Sequence, residues 1–204
     1  MTVTQDGQYL GVSGPAELQI INTQTSSKVA SLKPGYAPVF GALSPDGRAA
    51  VSWGRESSDV QIWDVARSAI VQKLPARLCN HAAFSANSRW LLVGTGAEMR
   101  VWDVATWKSR YALPCKSAGF FGLSAFSPDN QLLAAVTTRS AVRLTEASSG
   151  REVATLEMPD HLGISWLTFN PDSTKLAVAV TTGPIQIYDL RLIRQELAAM
   201  HLDW

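Results

Sequence analysis

One short turn signature returns five times along the chain at nearly constant spacing, and this limits the fold more than any other feature. Gln5-Asp6-Gly7, Pro45-Asp46-Gly47, Ala86-Asn87-Ser88, Pro128-Asp129-Asn130 and Pro171-Asp172-Ser173 put an acid or amide at 6, 46, 87, 129 and 172, in steps of 40 to 43 residues. A second anchor follows each turn at a similar distance: Ile21-Asn22, Trp63-Asp64, Trp102-Asp103, Thr145-Glu146 and Tyr188-Asp189. Two registers kept in phase over 204 residues make each unit one structural module.

Within a unit, apolar, β-branched and aromatic residues come in runs of four to six with turn punctuation between them, which is the pattern of short strands. In the second unit Val39 to Leu43 enters the turn at Asp46, and Ala49 to Trp53 returns from it. Val60 to Trp63 forms a third strand, and Ala69 to Leu74 a fourth that Pro75 ends. The units fall at about 1–33, 34–75, 76–114, 115–158 and 159–189. A lone four-stranded sheet cannot hide two apolar faces. Radial stacking of copies gives each face a neighbour, so an all-β propeller is predicted.

The period, Phe126-Ser127-Pro128-Asp129-Asn130 and Val60-Gln61-Ile62-Trp63-Asp64 resemble WD-repeat β-propellers across almost the whole chain. The resemblance implies that Asp46, Trp63, Asp64, Trp102, Asp103, Asp129, Asp172, Tyr188 and Asp189 are structural repeat anchors. That family often ties a blade together with a Gly-His element, a Ser or Thr, the turn Asp and the Trp. Only Asp160-His161 looks like the Gly-His element, so the blades are expected to depend on apolar packing more than on buried polar networks.

About five four-stranded blades are predicted, the first and last incomplete. The first unit begins at the tail of its innermost strand and the last ends after its third. An open segment of a larger propeller is preferred over an irregular five-unit ring, with self-association through unclosed blade edges as a consequence. After Asp189 the period becomes helical, with Leu190, Ile193, Leu197, Met200 and Trp204 on one stripe, so residues 190–204 are expected to form an amphipathic helix capping the last blade. This closing segment also resembles the tail of WD-repeat regions in large bacterial proteins, some with a serine/threonine kinase domain upstream.

Composition narrows the function. Eighteen Lys and Arg against 17 Asp and Glu supply no general attraction for nucleic acid or anionic lipid. No apolar run is long enough to span a membrane and no export signal opens the chain, so a cytoplasmic protein is expected. Nucleophile-elbow, phosphate-loop and zinc-helix motifs are missing, and His81, His161 and His201 lie in separate settings, so neither catalysis nor a metal or cofactor is expected. His81, Cys79 and Cys115 are expected to be structural, Trp63, Trp102 and Trp166 to be packed, and Trp53 and Trp107 to be exposed.

Propellers bind through loops at one rim. Here that rim would carry Tyr36, Trp53, Arg55, Glu56, Lys116, Phe120, Arg139 and His161, a mixture of aromatic and Arg side chains suited to a protein partner. The expected function is a noncatalytic protein-interaction scaffold. The alternatives are a regulatory or sensing region of a larger signalling protein such as a kinase, and a propeller enzyme with a site in its central channel.

Overall fold

Each recurring turn is held by the same knot of side-chain and backbone hydrogen bonds. In a computed structural model, which describes residues 1–37, 39–115 and 123–201, the residue two before the turn acid is Thr4, Ser44, Ser85, Ser127 or Asn170. Thr4, Ser44, Ser85 and Ser127 donate a hydroxyl to the acid or amide oxygen at 2.5–2.8 Å. The hydroxyl oxygens of these four residues in turn accept the backbone N–H of Tyr9, Ala49, Trp90 and Leu132, each at 2.9 Å. In the fifth turn the Asn170 amide plays both parts, donating to Asp172 at 2.7 Å and accepting from Lys175 N–H at 2.8 Å. The four hydroxyl residues are buried. Beside the apolar packing, every blade thus carries a small polar network at its turn, which costs little because the turn hydroxyls are paired.

Five antiparallel sheets follow in chain order. The first holds Thr2–Val3, Tyr9–Ser13, Leu18–Asn22 and Lys28–Leu32 (β1–β4), and the second Val39–Leu43, Ala49–Gly54, Asp59–Asp64 and Ala69–Pro75 (β5–β8). The third holds His81–Phe84, Trp90–Gly94, Glu98–Asp103 and Lys108–Pro114 (β9–β12), and the fourth Ser124–Phe126, Leu132–Thr138, Ala141–Glu146 and Glu152–Glu157 (β13–β16). Ile164–Phe169, Lys175–Val180 and Gln186–Asp189 (β17–β19) make a three-stranded fifth sheet, and helix α1 spans Leu190–Ala199. The innermost strands β1, β5, β9, β13 and β17 touch in succession, which fans the sheets about one axis. Among the described residues no contact of comparable extent returns from the fifth sheet to the first, so the fan is open.

The core consists of four layers between neighbouring sheets. Leu18, Ile20 and Leu32 meet Val39, Leu43 and Trp63, while Val51, Val60 and Ile62 on the other side of the second sheet meet Ala82, Leu91 and Trp102. Trp90, Leu92 and Val101 meet Leu133 and Ala135, and Leu144 and Leu156 meet Leu167, Leu176 and Val178. Strands β6, β10 and β14 are buried on both faces, as sheets sandwiched on both sides must be. The two end faces have no such cover. Val3 is exposed on the first sheet, Ile185 just before the fifth sheet's last strand, and Trp166 and Ile187 on that sheet. Trp166, expected to be packed, is 60% exposed. It lies three residues from buried Phe169, an odd separation that turns alternate side chains to opposite faces.

The second anchor explains why the last unit ends in a helix. Asn22, Asp64 and Asp103 accept N–H bonds from residues two or three further on, and so does Asp189, from Arg191 and Leu192. In the first four units the residue four past the anchor takes a left-handed backbone: Ser26, Ser68, Trp107 and Gly150 have φ of 50° to 75°. The turn then delivers the chain to a fourth strand. In the fifth unit that place is Ile193, whose branched Cβ makes positive φ costly, and Asp189 becomes the N-cap of α1 instead. Leu190 is buried against the core shared by the fourth and fifth sheets and Ile193 packs beside it, but Met200 is exposed. Trp204 lies outside the described residues.

Candidate functional site

The rim opposite the recurring turns carries the predicted loop residues, and the structure divides them into two groups. At the second blade, Tyr36 lies across Gly54 so closely that a Cβ there would stand 2.7 Å from its Cδ2, which is why this position holds glycine. The Tyr36 hydroxyl is 3.1 Å from Ser52 Oγ, and Ser52 accepts the Trp63 indole N–H at 2.9 Å. Gly35-Tyr36 thus stands where the Gly-His element was sought, and a Tyr–Ser–Trp chain replaces the fuller network. Burial pushes the Tyr36 phenol up to about 12, against a smaller lowering by its Ser52 bond. In the third blade Val93 stands where Ser52 stands in the second, and no such chain forms.

Arg55 and Glu56 are exposed beyond Gly54 and line a cleft of about 420 Å³ with Tyr36 and Ser57. Beside it a second cleft of about 520 Å³ is lined by Phe40, Trp53, Arg55, Leu78, Cys79 and Asn80. Trp53, expected to be exposed, is only 7% so. The strand runs one residue past it, and its ring stacks on cross-strand Phe40 with centroids 6.1 Å apart. Trp107 is half-buried against the same core, likewise contrary to expectation. Burial raises the Cys79 thiol to about 12, so it is protonated and inert at neutral pH.

Arg139 and His161 form the second group, where the fourth blade passes to the fifth. Arg139 carbonyl accepts Ile164 N–H at 3.0 Å, and its Nε lies 3.3 Å from where a Cβ on Gly163 would stand. His161 closes a 3-10 turn, Pro159–His161, with φ of 53°. Lys116 and Phe120 lie outside the described residues.

Sequence patterns gave no sign of two other features. His81, Ser124 and Trp166 line a void of about 10 Å³ near the axis, and His81 Nε2 and Ser124 Oγ are buried there with no hydrogen-bond partner among the described residues. Burial lowers the His81 pKa, against a smaller effect of its bond to the Ser124 backbone. At the turn rim a cleft of about 340 Å³ brings Asp129, Asp172 and Glu146 near Arg191. Their carboxylates are already bonded within their own turns. Among the described residues no three His, Cys, Asp or Glu side chains gather with the geometry to hold a metal, and no helix is long and apolar enough to cross a membrane.

Comparison with known proteins follows the same architecture. The WD40 domain of anaphase-promoting complex subunit 4 matches residues 124–194, the fourth and fifth sheets with the start of α1. The small ribosomal subunit protein RACK1 of Schizosaccharomyces pombe is 29% identical over 123 residues, covering 56% of this chain and 38% of that protein. Among solved structures, hydrazine synthase of Kuenenia stuttgartiensis superposes on 92% of this chain and 61% of its own with a TM-score of 0.74, at 17% identity, a likeness of fold alone. The chain therefore spans well under half of the RACK1 protein and somewhat over half of the hydrazine synthase chain.

Proposed function

We propose that this chain, built as a WD-repeat β-propeller, is a noncatalytic scaffold that binds protein partners through the rim around Tyr36, Arg55 and Glu56, with Arg139 and His161 as a second contact. The observation that carries this reading is the pair of adjoining clefts sharing Arg55, set on strands whose side chains are fixed by packing on both faces. Rigid walls reduce the ordering cost of association, so a modest contact area gives useful affinity. The two relatives matched by sequence are, by name, a subunit of the anaphase-promoting complex and a protein of the small ribosomal subunit, both parts of larger assemblies.

The test compares two charge reversals of equal size. Arg55→Glu combined with Arg139→Glu alters the proposed rim, whereas Arg67→Glu combined with Arg191→Glu alters the turn rim, where Arg67 pairs with Asp64 at 3.0 Å and Arg191 with Asp189 at 3.4 Å. Quantitative cross-linking in cell extract should show partners lost with the first variant and retained with the second. Identical partner sets for both variants and the parent would reject the rim.

A further inference from the structure

Among the described residues, Leu78 is the one exposed large apolar residue held with a positive φ. Its backbone φ is 58°, in the left-handed region, and its side chain is 57% exposed. Among the described residues the other non-glycine ones with positive φ are Ser26, Ser68, Ser88, Asn130, His161, Ser173 and His201, all polar, and Trp107, which packs against the core. Leucine at such a place is unfavourable twice, through its Cβ and through apolar surface left in water. A polar residue such as Asn would serve the turn better. Unfavourable conformations that the surrounding structure enforces gather where function needs them.

Leu78 is 57% exposed at the lip of the 520 Å³ cleft, which it lines together with Phe40 and Arg55. Ala76 N–H and Leu78 N–H bond to the carbonyls of Ser58 and Ser57, clasping its loop to the one that carries Arg55. The lip is positive. Among the described residues neither Arg55 nor Arg77, the chain neighbour of Leu78, has a carboxylate within ion-pair distance, and Glu56 lines only the adjoining cleft. Trp53 is too buried to offer a ring face, which disfavours a stacked base as occupant. We infer that this cleft takes a peptide segment that inserts one large apolar side chain between Phe40 and Leu78 and sets an adjacent carboxylate against Arg55. The inference rests on the scaffold reading above and names the chemistry of its partner.

Fluorescence anisotropy tests it with a labelled peptide, Gly-Ser-Gly-Phe-Asp-Asp-Gly-Ser, and two relatives in which Phe becomes Ala or both Asp become Asn. The parent peptide should bind, and each altered peptide should bind at least roughly tenfold more weakly, the loss from Asp to Asn shrinking as salt rises. Leu78→Asn should weaken binding by a similar factor while holding or raising the melting temperature, because Asn tolerates positive φ. That separates lost docking from lost folding. Arg55→Gln should abolish the difference between the Asp and Asn peptides. The inference falls if the parent peptide fails to bind at up to about 1 mM, or if binding is indifferent to Leu78→Asn or to the Asp-to-Asn change. Were the peptide to fail while the rim charge reversals still removed cross-linked partners, the scaffold reading would stand and only the apolar–acidic occupant would be lost.

Discussion

Removing the Ser52 hydroxyl should strand the indole N–H of Trp63 in a dry layer. Ser52 is fully buried and Trp63 nearly so, and they are joined at 2.9 Å between the first and second sheets. Ser52→Ala changes little volume, so its cost is chiefly the unpaired donor, about 1–3 kcal/mol. For a chain of this size that lowers the melting temperature by about 2–12 °C. Trp63→Phe removes the donor itself at the price of packing, and in that background Ser52→Ala should cost about 1 kcal/mol less than in the parent. Urea denaturation of the four proteins yields the coupling directly. Equal costs of Ser52→Ala in both backgrounds would refute the claim that this bond stabilises the second blade, and would make the Tyr36–Ser52–Trp63 chain incidental.

Three further outcomes are expected. Leu190→Ala, which opens the core shared by the fourth and fifth sheets, should cost about 2–5 kcal/mol in the same assay, and a negligible change would remove α1 from the stabilising structure. Stability should fall at both ends of the pH scale. Cys79 and Tyr36 have raised folded values, so their contribution is complete below the unfolded values of about 9 and 10 and is lost as pH climbs toward about 12. His81 has a lowered value, so its contribution is present above about 6.5 and is lost as pH falls below that. Melting curves across pH check the signs, and a maximum outside that interval would contradict them. Finally, the open end faces should make the protein associate as its concentration rises; Trp166→Ser with Ile187→Lys should suppress this in sedimentation, and unchanged association would place the contact elsewhere.

The fold was legible because spacing is a long-range signal that survives local variation. The acids at 6, 46, 129 and 172 and the amide at 87 keep their phase even where the neighbouring residue changes among Gly, Ser and Asn. Side-chain direction was less legible. Trp53 borders a loop in sequence yet lies inside the strand, and Trp166 shares a strand with Phe169 yet points the other way. The Tyr36–Ser52–Trp63 chain was missed because a Tyr stands where a His was sought, although Ser52 and Trp63 were visible eleven residues apart. The turn hydroxyls at 4, 44, 85 and 127 were visible too, two residues before each acid or amide, but their burial follows from the fold. Leu78 carries no sequence signal, since positive φ at a leucine follows from the path of its neighbours.

The turn rim gives the array a direction. Asp46, Asn87 and Asp129 donate their backbone N–H to Ser88, Asn130 and Ser173 of the following turn at 2.9–3.1 Å, and Gln5 donates to the carbonyl of Pro45. Each module therefore offers a hydrogen forward and a lone pair backward, so its two sides are unlike and mate only head to tail. If the chain were severed between its third and fourth sheets, the halves would carry complementary ends and could rejoin in a single order, whereas two copies of the same half would meet without that match.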